Sequence, residues 1–343
     1  MSSWDSRQGI VTGGTWCADH NKLVESWPHE EGLVKIISDE IRGGGSACNL
    51  AIDVKRLDPA FPVSTIGLLG DDGDGQLLLQ QAQAEGLETS ALAVAEDGRT
   101  TFTDAFTAQD TTRRTHLFHA GVGAVLNPDH FDLSTSSARI LHLGLPGIHD
   151  QMDAAWKGDA NGWVTVLKKA QTAGLKTNLE LCSLAPDALR ALVVPCLDHL
   201  NYLIVNDYEI AAVAGEPVAI GQEISVDACA IHARALLQSA GLEIVIVHFP
   251  KGAVAVSQTG QQIFRPSVDM PAQDIVGTNG AGDAFAAGAL YGLHEGWSLE
   301  ETLQLAHASA ATSMRHIGTT DALMGWADCL RLANGYGWRT ASI

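Results

Sequence analysis

From Ile140 onward the chain alternates short apolar runs with stretches of helical character. Strands are expected at Ile140–Leu143, Lys176–Leu181, Tyr202–Val205 and Glu243–Val247, with helices near Trp163–Ala173, Pro186–Val194 and Val226–Ala240. Short, nearly continuous apolar runs suit strands buried on both faces. Their alternation with helices is the pattern of a mostly parallel sheet covered on both sides. Ile10–Gly14 and Val63–Leu69 read as strands of the same sheet, and a helix is expected from about Gln76 to Glu85. Ala253–Ser257 and Gln262–Arg265 read as a hairpin, and Ser298 with Glu301 forms a capping box opening a helix from Leu299 to about Met314. Two β-rich stretches break the alternation. One is Leu23–Ile37; the other is Arg99–Leu117, which is Thr-rich and has Phe102, Phe106 and Phe118 spaced along and just beyond it. They are expected to pair into a small sheet outside the core, as a lid. The expected fold class is therefore α/β, a three-layer α/β/α sandwich with a small β lid. The core is assigned to residues 1–18, 42–98 and 121–343, and the lid to 19–41 and 99–120.

Composition excludes several function classes. The chain of 343 residues has 40 acidic against 21 basic side chains, a formal net charge of −19. That argues against nucleic acid and against anionic membrane surfaces as partners. The longest apolar runs, such as Ile244–Val247 and Ala281–Leu293, are short or interrupted by Gly, so no membrane span is expected. Met1–Asp5 lacks a basic segment and an apolar run, so no secretory leader is expected there. The six cysteines are scattered without metal-ligand spacing, which points to a reduced, cytoplasmic setting. There is no GxxxxGK[ST] and no strand–GxGxxG–helix unit, so neither a P-loop nor a dinucleotide site is supported. Asp71, Asp72 and Asp74 lack the acidic twelfth position of a calcium loop and read as a turn capping a helix.

The stretch Gly277–Gly288, GTNGAGDAFAAG, carries the chemistry. Small residues Gly280, Ala281 and Gly282 lead into a helical composition, so a helix is expected to start at about Gly280. The first amides of a helix have no internal partner and carry partial positive charge, and residues without bulk let an anion approach them. Asp283 stands beside that anion site, where a negative charge needs a reason. A plain first-turn acid complementing the helix dipole is one reading of the GAGD string by itself. A base that takes the proton from a hydroxyl attacking a phosphoryl group is the other.

Four strings in order decide between them. GTNGAGDAFAAG resembles the C-terminal signature of the ribokinase-like (PfkB) carbohydrate kinase family, and Gly44–Ala51 resembles its N-terminal GGxxxN signature. Asn206-Asp207-Tyr208-Glu209 resembles its NxxE motif, and Gly67–Gly73 its GxxGDD stretch. The resemblance runs from about Ile10 to Gly318 and implies a ribokinase-like fold and phosphoryl transfer from ATP with Mg²⁺ to a small sugar. A nucleoside acceptor, or a silent binding relative, are the alternatives. On this resemblance Asp283 is the base, and Gly280, Ala281 and Gly282 form the anion hole for the γ-phosphoryl group. Asp19, Gly44, Gly45 and Asn49 hold the sugar. Asn206, His248, Gly252, Gly280, Gly282 and His307 meet the nucleotide. Glu209 meets the metal, through waters. Gly277 replaces the Asp with which relatives hold a monovalent cation, so potassium dependence stays open. Other departures are His248-Phe249-Pro250, His307 and Ser46. On the nucleoside alternative, Trp16 and Phe102 are flat rings on which a base would stack. Lid sheets of such folds expose strand edges that a second subunit can cover, so a homodimer is expected.

Overall fold

A computed structural model of the chain describes residues 7–111, 113–220 and 223–340. The Met1–Asp5 stretch, where no leader is expected, lies outside them. In chain order the strands are β1 (Ile10–Gly14), β2 (Cys17–Val24), β3 (Ile36–Gly44), β4 (Val63–Gly70), β5 (Glu88–Ala95), β6 (Phe102–Ala108), β7 (Arg114–His119) and β8 (Ile140–Gly144). They continue with β9 (Lys176–Leu179), β10 (Tyr202–Asn206), β11 (Ala219–Ile220), β12 (Glu223–Ile224), β13 (Ile244–Phe249), β14 (Gly252–Ser257) and β15 (Gln262–Pro266). The helices are α1 (Ser46–Leu57), α2 (Gly73–Ala84), α3 (Asp150–Asp153), α4 (Gly162–Thr172), α5 (Pro186–Val193), α6 (Asp207–Ala214), α7 (Val226–Ser239), α8 (Ala281–His294), α9 (Leu299–Ser313) and α10 (Trp326–Tyr336).

The large sheet runs in the order β15-β14-β13-β10-β9-β8-β1-β4-β5. All neighbours from β13 to β5 are parallel, and only β14 and β15 turn back. Strand periodicity divides the apolar residues between two layers. In β10, Leu203 and Val205 join the cluster under α4, α5, α6 and α7, while Tyr202 and Ile204 join the cluster under α1, α8 and α9. This is the expected three-layer sandwich. The chain leaves β1 for β4 and β5 on one side and returns through β8, β9 and β10 on the other. That reversal opens a crevice at the carboxyl ends of β1 and β8, where open α/β sheets bind their ligands.

The second sheet has the order β3-β2-β6-β7. Its outer pairs are antiparallel and β2 joins β6 in parallel. The two β-rich stretches do meet here, but the first strand pair is displaced from the predicted Leu23–Ile37. Residues Cys17–Val24 pair with Ile36–Gly44, and Pro28 and Gly32 occupy the connection between them. Proline and glycine break a ladder, so the strands fall on either side of them. Strand β5 and helix α10 have no counterpart in the sequence prediction.

Capping residues fix several helix starts. Ser298 and Glu301 form the predicted capping box on α9. The Asp-rich turn caps α2: Asp72 accepts from the Gly75 amide at 2.8 Å, the Thr100 amide at 2.9 Å and the Thr100 hydroxyl at 2.6 Å. Burial pushes the Asp72 pKa upward, but these hydrogen bonds outweigh it and leave the carboxyl below its ordinary range. The stabilisation is complete above the ordinary Asp range and is lost as pH falls through the lowered folded value. Asp72→Ala is expected to reduce unfolding free energy by about 1–2 kcal/mol at neutral pH, measured by urea denaturation. An unchanged midpoint would remove Asp72 as the link between α2 and the start of β6.

Candidate active site

Helix α8 begins in the crevice. Its N-cap, Gly280, has φ 76° and no side-chain cap, and a Cβ there would lie 2.4 Å from the Thr319 carbonyl oxygen. Only glycine meets both demands, left-handed backbone and close approach. At Gly282 no atom lies within 4 Å of where a Cβ would be, so the space over the helix start is open. Amides of a first turn mostly lack a carbonyl one turn behind them, although the Ala281 amide donates to the Thr278 carbonyl oxygen at 3.3 Å. The space over Gly282 is where a ligand can approach the α8 start.

Asp283 occupies the first turn of α8. Its Oδ2 accepts from Asn49 Nδ2 at 2.9 Å, and Asn49 Oδ1 in turn accepts from the Thr319 hydroxyl at 3.2 Å. Gly45, with φ 90°, starts α1 and so delivers Asn49 one turn later. A second carboxyl, Glu180, directly follows β9. Burial, then the neighbouring Glu180 carboxyl, push the Asp283 pKa well above the usual carboxylate range; Asn49 and His142 oppose this. Burial likewise lifts Glu180 to about 7. Glu180 Oε2 lies 2.7 Å from Nε2 of the fully buried His142, whose Nδ1 is 3.0 Å from Asn178 Nδ2. Asp53, one turn beyond Asn49, is buried with neither carboxyl oxygen hydrogen-bonded among the described residues, and its pKa is pushed well up by burial and by Asp283.

Nothing local in the sequence singles out Glu180, His142, Asn178 or Asp53. The available signal was chemical: a histidine inside the apolar run Ile140–Leu143, and an acid closing the apolar strand before it.

On the lid side, Asp19 lies in β2, against Gly44 at the end of β3; a Cβ on Gly44 would come within 2.4 Å of Asp19 Oδ2. Burial raises Asp19 to about 6; Arg114 opposes this and Asp283 adds to it. Asp19, Gly44, Gly45, Asn49 and Asp283 thus share one region. The two flat rings do not serve it. Trp16 is 1 % exposed in the core, with its indole nitrogen donating to Thr65 Oγ1 at 3.0 Å. Phe102 is stacked by His20 and His119, at 5.2 and 4.8 Å between ring centroids. Neither ring is free for a base, which corrects that reading.

On the other side of the α8 start is a cavity of about 510 Å³ lined by Asn206, His248, Thr278, Gly282, Phe285 and His307. Phe285 packs between two imidazoles, 4.7 Å from His248 and 5.1 Å from His307. Burial lowers His248 to about 4; burial and then His248 lower His307 to about 3. Both rings are neutral, so this end of the cavity suits an uncharged aromatic ligand part, with the α8 amides at the other end for its anionic part. Asn206 caps α6 reciprocally with Glu209: Asn206 Oδ1 accepts from the Glu209 amide at 2.9 Å, and Glu209 Oε2 accepts from the Asn206 amide at 3.0 Å. Burial lifts Glu209 to about 7. Gly252 does not line the cavity; it opens β14, where a Cβ would meet the Phe264 ring at 2.7 Å. Among the described residues no three acidic, His or Cys side chains are arranged to enclose a metal.

Comparisons with known proteins identify the family and the fold. A family model described as pfkB family carbohydrate kinase matches residues 8–324. A 5-dehydro-2-deoxygluconokinase of Shouchella clausii is 24% identical, with 92% of each chain covered. An ATP-dependent ribose-1-phosphate kinase of Halopiger xanaduensis is 25% identical over 91% of this chain and 94% of the relative. Arabidopsis thaliana ribokinase, solved with ribose and ATP, superposes with a TM-score of 0.76 at 20% identity, covering 95% of this chain and 99% of that one.

Gly280→Ala is expected to cost about 1–3 kcal/mol through forced left-handed backbone and contact with Thr319, read as a lowered urea midpoint. Wild-type stability would mean that the α8 start does not need glycine.

Proposed function

Because the chain belongs to the pfkB family of carbohydrate kinases, we propose that it transfers the γ-phosphoryl group of ATP to a hydroxyl of a small sugar, with Asp283 as the base. The observation that carries this is one carboxyl, Asp283, standing between an open helix start and a second polar region built by Asn49, Gly44 and Asp19. The nucleotide occupies the cavity beside Phe285, with its adenine near His248 and His307 and its terminal phosphate at the amides of Gly280, Ala281 and Gly282. The sugar lies between Asn49, Asp19 and the Gly44–Gly45 backbone. Short side chains that both donate and accept suit a polyol. Asp283 takes the proton from the attacking hydroxyl, and the oxygen displaces ADP in line from the γ-phosphorus.

Mg²⁺ supplies charge neutralisation on the phosphates. Glu209 has one carboxyl oxygen on the Asn206 amide, which leaves the other to meet a water of a hydrated ion. Gly252 acts only through the hairpin that carries His248. Residues 19–41 and 99–120 close as a lid and exclude water, which competes with the sugar as acceptor. Exposed Ile41 on β3 and Phe118 on β7 are the edges over which a second subunit would pair. No helix among the described residues is long and apolar enough to cross a membrane. A sugar is preferred to a nucleoside because Trp16 and Phe102 are already engaged.

A thermal-shift screen of sugars and nucleosides with a non-hydrolysable ATP analogue identifies the acceptor, since the true substrate stabilises the fold by mass action. Steady-state assays on that acceptor then compare Asp283→Asn with wild type. The variant is expected to fold, to bind ATP, and to lose about 10²–10⁴ in kcat. Near-normal turnover would remove Asp283 from the mechanism, and stabilisation by nucleosides alone would overturn the sugar reading.

A further inference from the structure

We propose that the acceptor carries a carboxylate and that Arg114 of the lid recognises it, so that the substrate is a sugar acid rather than a neutral sugar. This rests on the kinase reading above and deepens it by giving the acceptor a charge and an orientation.

The register of the lid sheet puts Arg114 on the acceptor side. Residues two apart in a strand share a face, and so do residues paired across a ladder. Asp19, Asn21 and Leu23 of β2 therefore lie on one face. Leu23 is paired with Thr107 of β6, which is paired with Arg114 of β7. The opposite face is taken up by the core: His20 lies 3.1 Å from Asp74 of α2, and a Cβ on Gly43 would run into Gln81 of α2. The Asp19 face is the one turned to the crevice, and Asp19 on it feels the charge of Asp283. His116 and Phe118, also on this face, are exposed, so it is open to a ligand. Arg114 reaches along the face, because its Nη2 donates to Asn21 Oδ1.

What sets Arg114 apart is an unanswered charge. Lys22 is paired with Asp104, Arg99 with Asp74, and Arg42 with Glu40 and Asp321. The hydrogen bond of Arg114 goes to a neutral amide instead, and its Nε is shut off from solvent with no partner among the described residues. Burial works against its charge, and Asp19 is the neighbour that supports it. A buried polar group left unsatisfied marks a side chain placed for something other than its own sheet. The planar guanidinium matches a carboxylate in two parallel bonds, which would supply the missing negative charge. One guanidinium beside Asp19, with Asp283 beyond it, offsets a single negative charge; a phosphate dianion would bring more repulsion from those carboxyls than it could relieve. Asn21 is two residues farther along β2 than Asp19, about 7 Å. The carboxylate therefore sits at the end of the acceptor away from Asp283, and the hydroxyl that is phosphorylated is the one remote from the acid group.

The test is a matched panel of acceptors: aldonates and 2-keto-aldonates, the aldoses of the same carbon chain, and those aldoses carrying a terminal phosphate. Acceptor-dependent ADP release is read for each in wild type, Arg114→Gln and Arg114→Lys. Wild type is expected to use an acid at least about tenfold better in kcat/KM than its neutral and phosphorylated counterparts, and product NMR should find the new phosphate on the hydroxyl farthest from the carboxylate. Arg114→Gln should raise KM for the acid by about tenfold to a hundredfold, with KM for ATP unchanged. Arg114→Lys keeps a point charge without the fork and should fall between the two. A wild type that prefers neutral sugars or sugar phosphates, or an Arg114→Gln KM equal to wild type on the acid, overturns the proposal and leaves the kinase reading intact. Absence of ADP release with every acceptor overturns that reading instead. A second measurement needs no turnover. With a non-hydrolysable ATP analogue present, an acid of the panel should raise the wild-type melting temperature where its neutral counterpart does not, and Arg114→Gln should lose that shift. No shift with any acid overturns the proposal, and this arm needs no variant to fold.

Discussion

A carboxyl group in the first turn of a helix, Asp283, with a second, Glu180, following the neighbouring strand β9, sets the terms for what surrounds it. Taking carboxylates partly out of water is costly unless a proton or a donor intervenes. The chain answers with donors from three directions. Asn49 from α1 supports Asp283, His142 from β8 faces Glu180, and the first turn of α8 contributes the positive end of its dipole. Thr319 holds Asn49, and Asn178 holds His142, so the carboxyl pair is the centre of a polar network threaded between the two apolar clusters. Such a network orients its members tightly because each has few alternatives.

The sheet makes this arrangement possible. Parallel strands end at one rim, and the reversal of direction between β1 and β8 leaves a gap there. His142 and Glu180 come from adjacent strands on one flank of that gap, while Asn49 and Asp283 come from helices on one face of the sheet. The lid adds Asp19 from above. Several contacts attach it: Asp72 of the core receives both the amide and hydroxyl of Thr100, and His20 of β2 lies 3.1 Å from Asp74 of α2. The edge strand β3 is also held to the core: Arg42 lies 3.8 Å from Asp321, and the Gly43 carbonyl accepts from the Thr319 hydroxyl at 3.5 Å.

What could be read from the sequence was whatever has a short-range cause. The α8 start was legible because three small residues before an acid have few other uses. The capping box at Ser298/Glu301 obeys a fixed spacing, and the strand–helix alternation has a fixed period; Asn206 and Glu209, read from the sequence as a family motif, form a second capping box. What escaped was set by distant partners. His142 looks like an interruption of an apolar strand until β9 brings Asn178 beside it and places Glu180 at the rim. Trp16 looked available because it precedes the lid, yet the turn from β1 into β2 buries it against Thr65. The first lid strands were misplaced because the pairing runs past Asp19 and resumes only after Pro28 and Gly32, which local alternation does not reveal. His307, expected to meet the nucleotide, is buried against Phe285 and lines the cavity, with its Nε2 3.2 Å from the Arg265 carbonyl oxygen.

The central claim is spatial: one phosphate at the opening of α8, one hydroxyl at Asp283, and the line between them free of water. A crystal structure with a non-hydrolysable ATP analogue and the acceptor bound together tests it directly. The expected result has the terminal phosphate oxygens on the amides from Gly280 to Asp283 and the acceptor oxygen within hydrogen-bond reach of the Asp283 carboxyl. A terminal phosphate seated elsewhere, or an acceptor oxygen in contact with a different base, would contradict the account.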